Sequence, residues 1–208
     1  VAGNSTQVGR RSPRVGVLAL QGDFREHIGV LTSLGAEAVP VRRASELASV
    51  DGLVIPGGES GVMDKLTRLF DLAGPLRAAI DDGLPVYGTC AGLIMLSDRI
   101  VDGIAGQKSL GGLDVAVRRN AFGSQTDSFE TDVDVPVIGA PPVHAVFIRA
   151  PVVTEVGPLA TAIGVLDDGR VVAVEQGNLL GTSFHPEVTD DYRFHAYFLD
   201  KARARASR

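Results

Sequence analysis

The chain has 208 residues, of which 45% are hydrophobic and 22% charged, and a formal net charge of −5. That length suits one α/β domain around a single core, and the negative balance argues against nucleic acid as a partner, because neutralising phosphates takes concentrated Lys and Arg. No run of about 18 apolar residues exists to cross a membrane. The single cysteine, Cys90, excludes an internal disulfide, which agrees with a reducing, cytoplasmic setting, so any thiol chemistry must use it.

Residues 1–13 are polar and read as a flexible extension, leaving residues 14–208 as one domain. Residues 15–20 form a continuous apolar run of strand length, as expected for a strand buried on both faces. Residues 23–34 read as a helix, with Asp23 and Glu26 spaced for a capping box and Gly35 ending it. Strands are expected over 36–41 and 53–55, then helices over 61–69 and 75–82 with a break at Gly74. A strand over 84–87 leads into a helix opening at residues 91–97. This alternation predicts parallel strands with helices on both faces.

Beyond Gly112 short strands follow one another, over 113–117, 128–133, 145–148, 162–166, 171–175 and 179–184. Asp167-Asp168-Gly169 and Gln176-Gly177-Asn178 are turn signals that predict antiparallel hairpins. A last amphipathic helix is expected over 190–204, and the basic residues Lys201, Arg203, Arg205 and Arg208 read as a solvated, fraying terminus.

The segment Tyr87-Gly88-Thr89-Cys90-Ala91-Gly92-Leu93 joins a buried strand to a helix through Gly-x-Cys-x-Gly. This is a nucleophile elbow with cysteine in place of serine. Flanking glycines remove side chains that a sharp turn cannot hold, the helix start points partial positive charge at the sulfur, and the Ala91 N–H is placed to meet an oxyanion. Most lone cysteines are small buried hydrophobes; the two glycines and the strand–helix context favour the nucleophile.

Of the four histidines, His27 and His195 fall within helices, where packing is the default, and His144 starts a strand without an acidic neighbour. His185 stands past an apolar strand in His185-Pro186-Glu187. Proline keeps its predecessor extended, and residues i and i+2 of an extended segment point the same way. Glu187 is therefore expected beside His185, leaving the other ring nitrogen for the thiol. Pro56-Gly57-Gly58-Glu59-Ser60 follows a strand and brings bare backbone amides near a ligand. It lacks the lysine of a phosphate-binding loop, and no Gly-x-Gly-x-x-Gly follows a strand, so neither nucleotide reading is supported.

Together these motifs resemble the triad-type (class I) glutamine amidotransferases. Glu59-Ser60 after the paired glycines, Arg119-Asn120-Ala121-Phe122-Gly123 and Ile148-Arg149-Ala150-Pro151 narrow the likeness to the family of glutaminase subunits of pyridoxal 5′-phosphate synthase. Leu20-Gln21-Gly22 with Glu26-His27 belongs to the same pattern, which spans about residues 14–200. The resemblance implies a flavodoxin-like three-layer α/β fold: a mostly parallel central sheet with helices on both faces and an antiparallel β extension. It also implies hydrolysis of L-glutamine to glutamate and ammonia, delivery of the ammonia to a separate synthase subunit in a heteromeric complex, and no metal or cofactor. By motif position Cys90, His185 and Glu187 would be the triad. Gly57, Gly58, Glu59, Ser60, Ala91, Arg119, Ile148 and Arg149 would bind substrate or its oxyanion. One departure stands out: the family pattern has arginine before the glutamine where this chain has Gly123-Ser124-Gln125. Two other classes share part of the pattern. A γ-glutamyl peptide hydrolase would share the elbow but not the narrow motifs, and a silent binding subunit would be expected to have lost one of Cys90, His185 and Glu187.

Overall fold

The computed structural model describes residues 11–119 and 128–207. Most of the N-terminal extension, the Asn120 to Gly123 part of the Arg119 motif, Ser124 and Arg208 lie outside the described residues. In chain order the elements are β1 (Arg14–Leu18), α1 (Phe24–Ser33), β2 (Glu37–Val41), α2 (Ala44–Leu47), β3 (Gly52–Ile55), α3 (Ser60–Leu69), α4 (Ala73–Asp81), β4 (Val86–Thr89) and α5 (Ala91–Leu96). There follow β5 (Ser97–Val101), β6 (Leu113–Arg118), β7 (Ser128–Val133), β8 (Val143–Ile148), β9 (Val152–Val156), β10 (Thr161–Val165), β11 (Val171–Gln176), β12 (Leu179–Thr182) and α6 (Arg193–Ala206).

The main sheet runs β2-β1-β3-β4-β12-β11-β9-β6-β5, with β10 also on β11. Strands β2, β1, β3, β4 and β12 are mutually parallel, and β11 turns the pattern antiparallel. This is the expected mostly parallel sheet with an antiparallel extension, to which β7 and β8 add a separate hairpin.

Two apolar layers explain why the strands lack an alternating polar pattern. Side chains alternate across a strand, and here each face meets its own core. Leu18, Leu53, Ile55 and Val86 pack with Met63, Leu76, Ile80 and Met95 from α3, α4 and α5. Val15, Val17, Val54 and Tyr87 pack with Leu31 of α1 and with Phe194, Phe198 and Leu199 of α6, joined by Phe147 from the hairpin. Each large side chain removed from water in this way contributes about 1.5–3 kcal/mol. Among the described residues no helix is long and apolar enough to cross a membrane.

Several local expectations are corrected. Asp23 makes no side-chain capping bond to α1, so the capping box does not form. The break between α3 and α4 falls at Phe70–Leu72 rather than at Gly74, which lies inside α4; Asp71 supplies the turn with a φ of 54°. Strands β5 and β9 and the short α2 were not foreseen. The basic terminus is not frayed through residue 206: from α6, Lys201 pairs with Glu175 of β11, Arg203 with Asp200 of the same helix and Arg205 with Asp82 past the end of α4.

Gly29 lies mid-helix on the exposed face of α1, and a Cβ there would meet nothing within 4 Å. Gly29→Ala is expected to stabilise the fold by about 0.5–1 kcal/mol through helix propensity alone, read as a higher urea midpoint.

Candidate active site

Parallel pairing brings sequence-distant segments to one edge. Gly88 and Thr89 of β4 lie opposite Gly181 and Thr182 of β12, and Ile55 of β3 lies opposite Gly88. The loops leaving β1, β3, β4 and β12 therefore open side by side at the carboxyl ends of the strands, where open α/β sheets bind ligands. Those loops carry Gln21 to Asp23, Gly57 to Ser60, Cys90, and His185 to Glu187.

Cys90 caps α5 with φ 48° and ψ −104°, a left-handed conformation for a non-glycine residue. Such strain costs about 1–3 kcal/mol and persists only where neighbours enforce it. Here the enforcement is explicit. The Cys90 N–H donates to the Thr182 carbonyl at 2.8 Å, tying the elbow to β12. A Cβ on Gly88 would lie 2.5 Å from the Gly92 carbonyl, and one on Gly92 would lie 2.0 Å from the Ile55 oxygen. Only glycine lets α5 turn back this closely onto β3 and β4. Because α5 has just six residues, its dipole is small, so the positive charge nearest the sulfur comes from elsewhere.

That charge is His185. Its ring is almost wholly buried, and Nδ1 lies 2.7 Å from Glu187 Oε1. The segment is not extended as expected: Pro186–Val188 forms a 3₁₀ turn with proline in its first position, a place its fixed φ and missing N–H suit. The turn swings Glu187 back under the ring, so the pairing survives by a different route. Burial works against charge on His185, yet hydrogen bonds to the Cys90 sulfur and the Glu187 carboxylate, with their charges, push it from 6.5 up to about 10. The arrangement therefore favours an imidazolium at His185, between the Cys90 sulfur and the Glu187 carboxylate. In Cys90→Ala protein the first of the raising causes disappears, and His185 is expected to titrate well below about 10 by NMR. The stabilisation from the raised group is fully present below 6.5 and is lost as pH climbs through about 10.

The remaining candidates surround a cavity of about 530 Å³ whose walls include Gly58, Glu59, Ser60, Cys90, Ala91, Arg119, Ile148, Arg149 and His185. Gly57 sits against the His185 ring, where a Cβ would come within 2.5 Å of Cε1, and Glu187 lies behind that ring, fully buried. Glu59 caps α3 by accepting from the Gly61 and Val62 N–H groups. It also receives Arg119 Nη2 at 2.6 Å. Arg149 holds a φ of 47° at the end of the hairpin, and its neighbour's Ile148 carbonyl lies 3.9 Å from the Cys90 sulfur.

Four contributors were not singled out from the sequence as site residues. Gln21 accepts from the Glu59 N–H at 2.8 Å and packs against Gly58, where a Cβ would come within 2.5 Å of the Gln21 Oε1. Gln107 accepts from Arg119 at 3.1 Å and donates to Ser60 at 2.9 Å. Asp23 and Ile94 complete the wall. Gln107 lies in an irregular loop and carries no local signal; Gln21 was visible only as part of a motif, and Asp23 only as a candidate helix cap. His144 is also corrected: across the hairpin it meets Glu130 at 2.9 Å and Asp132 at 3.1 Å, acidic neighbours that only the β7–β8 register reveals.

Residues 17–204 match the SNO glutamine amidotransferase family. The chain is 73% identical over 194 residues to the pyridoxal 5′-phosphate synthase subunit PdxT of Leifsonia xyli subsp. xyli, covering 93% of this chain and 98% of that one. It is 69% identical over 200 residues to the PdxT of Clavibacter michiganensis subsp. michiganensis, covering 96% of each. A crystal structure described as a glutamine amidotransferase superposes with a TM-score of 0.84 at 47% identity, over 90% of this chain and 98% of the other.

Proposed function

The chain belongs to the SNO glutamine amidotransferase family, and from that membership we propose that it hydrolyses L-glutamine through Cys90, His185 and Glu187 and passes the ammonia to a separate synthase subunit that makes pyridoxal 5′-phosphate. The observation that carries this reading is the contact of the one cysteine, in a strained elbow, with a buried His185–Glu187 pair beside a polar cavity. Residues 14–208 act as one glutaminase unit in the cytoplasm.

The chemistry follows from the geometry. The Cys90 thiolate attacks the side-chain carboxamide of glutamine. The oxyanion that forms is met by the Ala91 N–H and by the backbone amides of the Gly57–Gly58 loop. His185 gives its proton to the departing ammonia, leaving a glutamyl thioester, and then takes a proton from the water that hydrolyses it. Glu187 keeps the imidazole oriented throughout. Arg119 and Arg149 supply cations for the substrate α-carboxylate, while Glu59 and Ser60 offer acceptors for its ammonium. No metal or cofactor enters these steps.

Ammonia release from L-glutamine by the purified chain, with and without the synthase subunit, tests the proposal. Cys90-dependent release that rises with the synthase supports it. Release from γ-glutamyl peptides but not from glutamine would move the assignment to a γ-glutamyl hydrolase, and no release in either condition would remove the enzymatic reading.

A further inference from the structure

Behind the triad lies a second pair of histidines that the mechanism above does not use. His27 and His195 are both completely buried, one on α1 and the other on α6. His27 Nδ1 is 2.9 Å from His195 Nε2. Its other nitrogen, Nε2, lies 3.2 Å from Thr89 Oγ1 and 3.5 Å from Glu187 Oε2. Among the described residues that carboxylate oxygen has no hydrogen-bond partner within normal distance, and neither does His195 Nδ1.

The proton positions in this pair are decided by what each end faces. Burial holds His27 well below its ordinary value, helped by the neighbouring His195 and His185, and burial alone takes His195 to about 4. Both rings are therefore neutral at pH 7, with one N–H apiece. If His27 carried its hydrogen on Nδ1, His195 would leave a buried N–H without an acceptor, and a bare His27 lone pair would face a carboxylate. If His195 donates from Nε2 to His27 Nδ1, the His27 Nε2–H points at Thr89 and Glu187, and only an acceptor, His195 Nδ1, goes unpaired. Orphaned buried N–H groups are rarer than under-satisfied acceptors, and the second arrangement also puts a positive dipole end toward Glu187.

We infer that His27, with its tautomer fixed by His195, is a positioning residue for the triad: its Nε2–H faces Glu187 Oε2 at 3.5 Å and orients that carboxylate, so that Oε1 stays aimed at His185. The order His195, His27, Glu187, His185, Cys90 then forms one buried line from α6 to the elbow. This rests on the triad reading above. Outer hydrogen-bond partners of metal-binding histidines typically change activity by about 10–100-fold when removed, and the same scale is expected for this partner of the triad.

The test uses the full chain with its synthase subunit. His27→Phe keeps a ring and loses the N–H; His27→Gln restores an amide N–H near the Nε2 position. His27→Phe is expected to lower kcat for glutamine hydrolysis by about 10–100-fold with KM unchanged, and to lower the pH at which His185 titrates by NMR. His27→Gln is expected to recover most of both. Wild-type kcat in folded His27→Phe protein overturns the inference. So does a loss of kcat that His27→Gln fails to restore while His185 titrates as in wild type, because that marks a packing role only. Should His27→Phe fail to fold, His195→Leu removes only the donor to His27; a smaller kcat loss with a lowered His185 titration supports the inference, and wild-type values for both overturn it. Cys90-dependent turnover by the wild-type chain is checked in parallel, so a failure of the triad reading is not mistaken for a failure of this one.

Discussion

Cys90→Ala protein is expected to lose glutamine hydrolysis by about 10⁵-fold or more, the scale on which removal of a lone nucleophile acts when no other group can form the covalent intermediate. No other thiol exists in the chain to substitute. The substrate contacts proposed at Glu59, Ser60, Arg119 and Arg149 do not involve the sulfur, so calorimetric titration of the variant with glutamine, in the presence of the synthase subunit, should still register binding. Loss of rate with retained binding separates chemistry from capture. Ammonia release within about tenfold of wild type from the pure variant would remove Cys90 from the mechanism, whatever else the site does.

The second large effect concerns folding of the elbow. Gly92→Ala puts a Cβ 2.0 Å from the Ile55 oxygen and 2.9 Å from its carbon, both backbone atoms of a central strand. Neither side yields easily: β3 is hydrogen-bonded between β1 and β4, and all six residues of α5 are buried. Overpacking at a site that cannot move costs about 3 kcal/mol or more, a large share of the stability of a domain this size. The urea midpoint is expected to drop sharply, and whatever variant folds should have a displaced Cys90 and little turnover. Gly29→Ala is the opposite case, the same substitution with empty space around it, and the pair isolates close packing from helix propensity. A Gly92→Ala protein that melts and turns over like wild type would mean that the elbow relaxes more freely than its contacts imply.

Periodicity and punctuation made much of the fold legible. Continuous apolar runs such as residues 15–18 have the pattern expected of strands covered on both faces, and the two separate cores are the reason. What misled local reading was geometry that competes with local preference. His185-Pro186-Glu187 was expected to be extended, but proline is equally suited to open a 3₁₀ turn, and the burial of Glu187 favoured the turn. Strand β9, at Val152–Val156, was missed because it follows Pro151 directly and Val152-Val153 are separated from Val156 by Thr154 and Glu155, so no clear alternation marks it.

The chemical inventory was set by sequence alone: one cysteine between glycines, one His-Pro-Glu, a glycine pair before Glu59, and the positions at which strands must end to present them. Bringing Cys90 to His185 required that β12, almost a hundred residues later in the chain, insert beside β4 in parallel register, a choice among strand pairings that no local pattern encodes. The partners without a local signature arise the same way. Gln107 joins Arg119 to Ser60, and His27 meets His195 and Glu187, only because separate elements are packed into one interior. There a buried polar atom must find whatever partner the packing supplies, since leaving it without one costs about 1–3 kcal/mol.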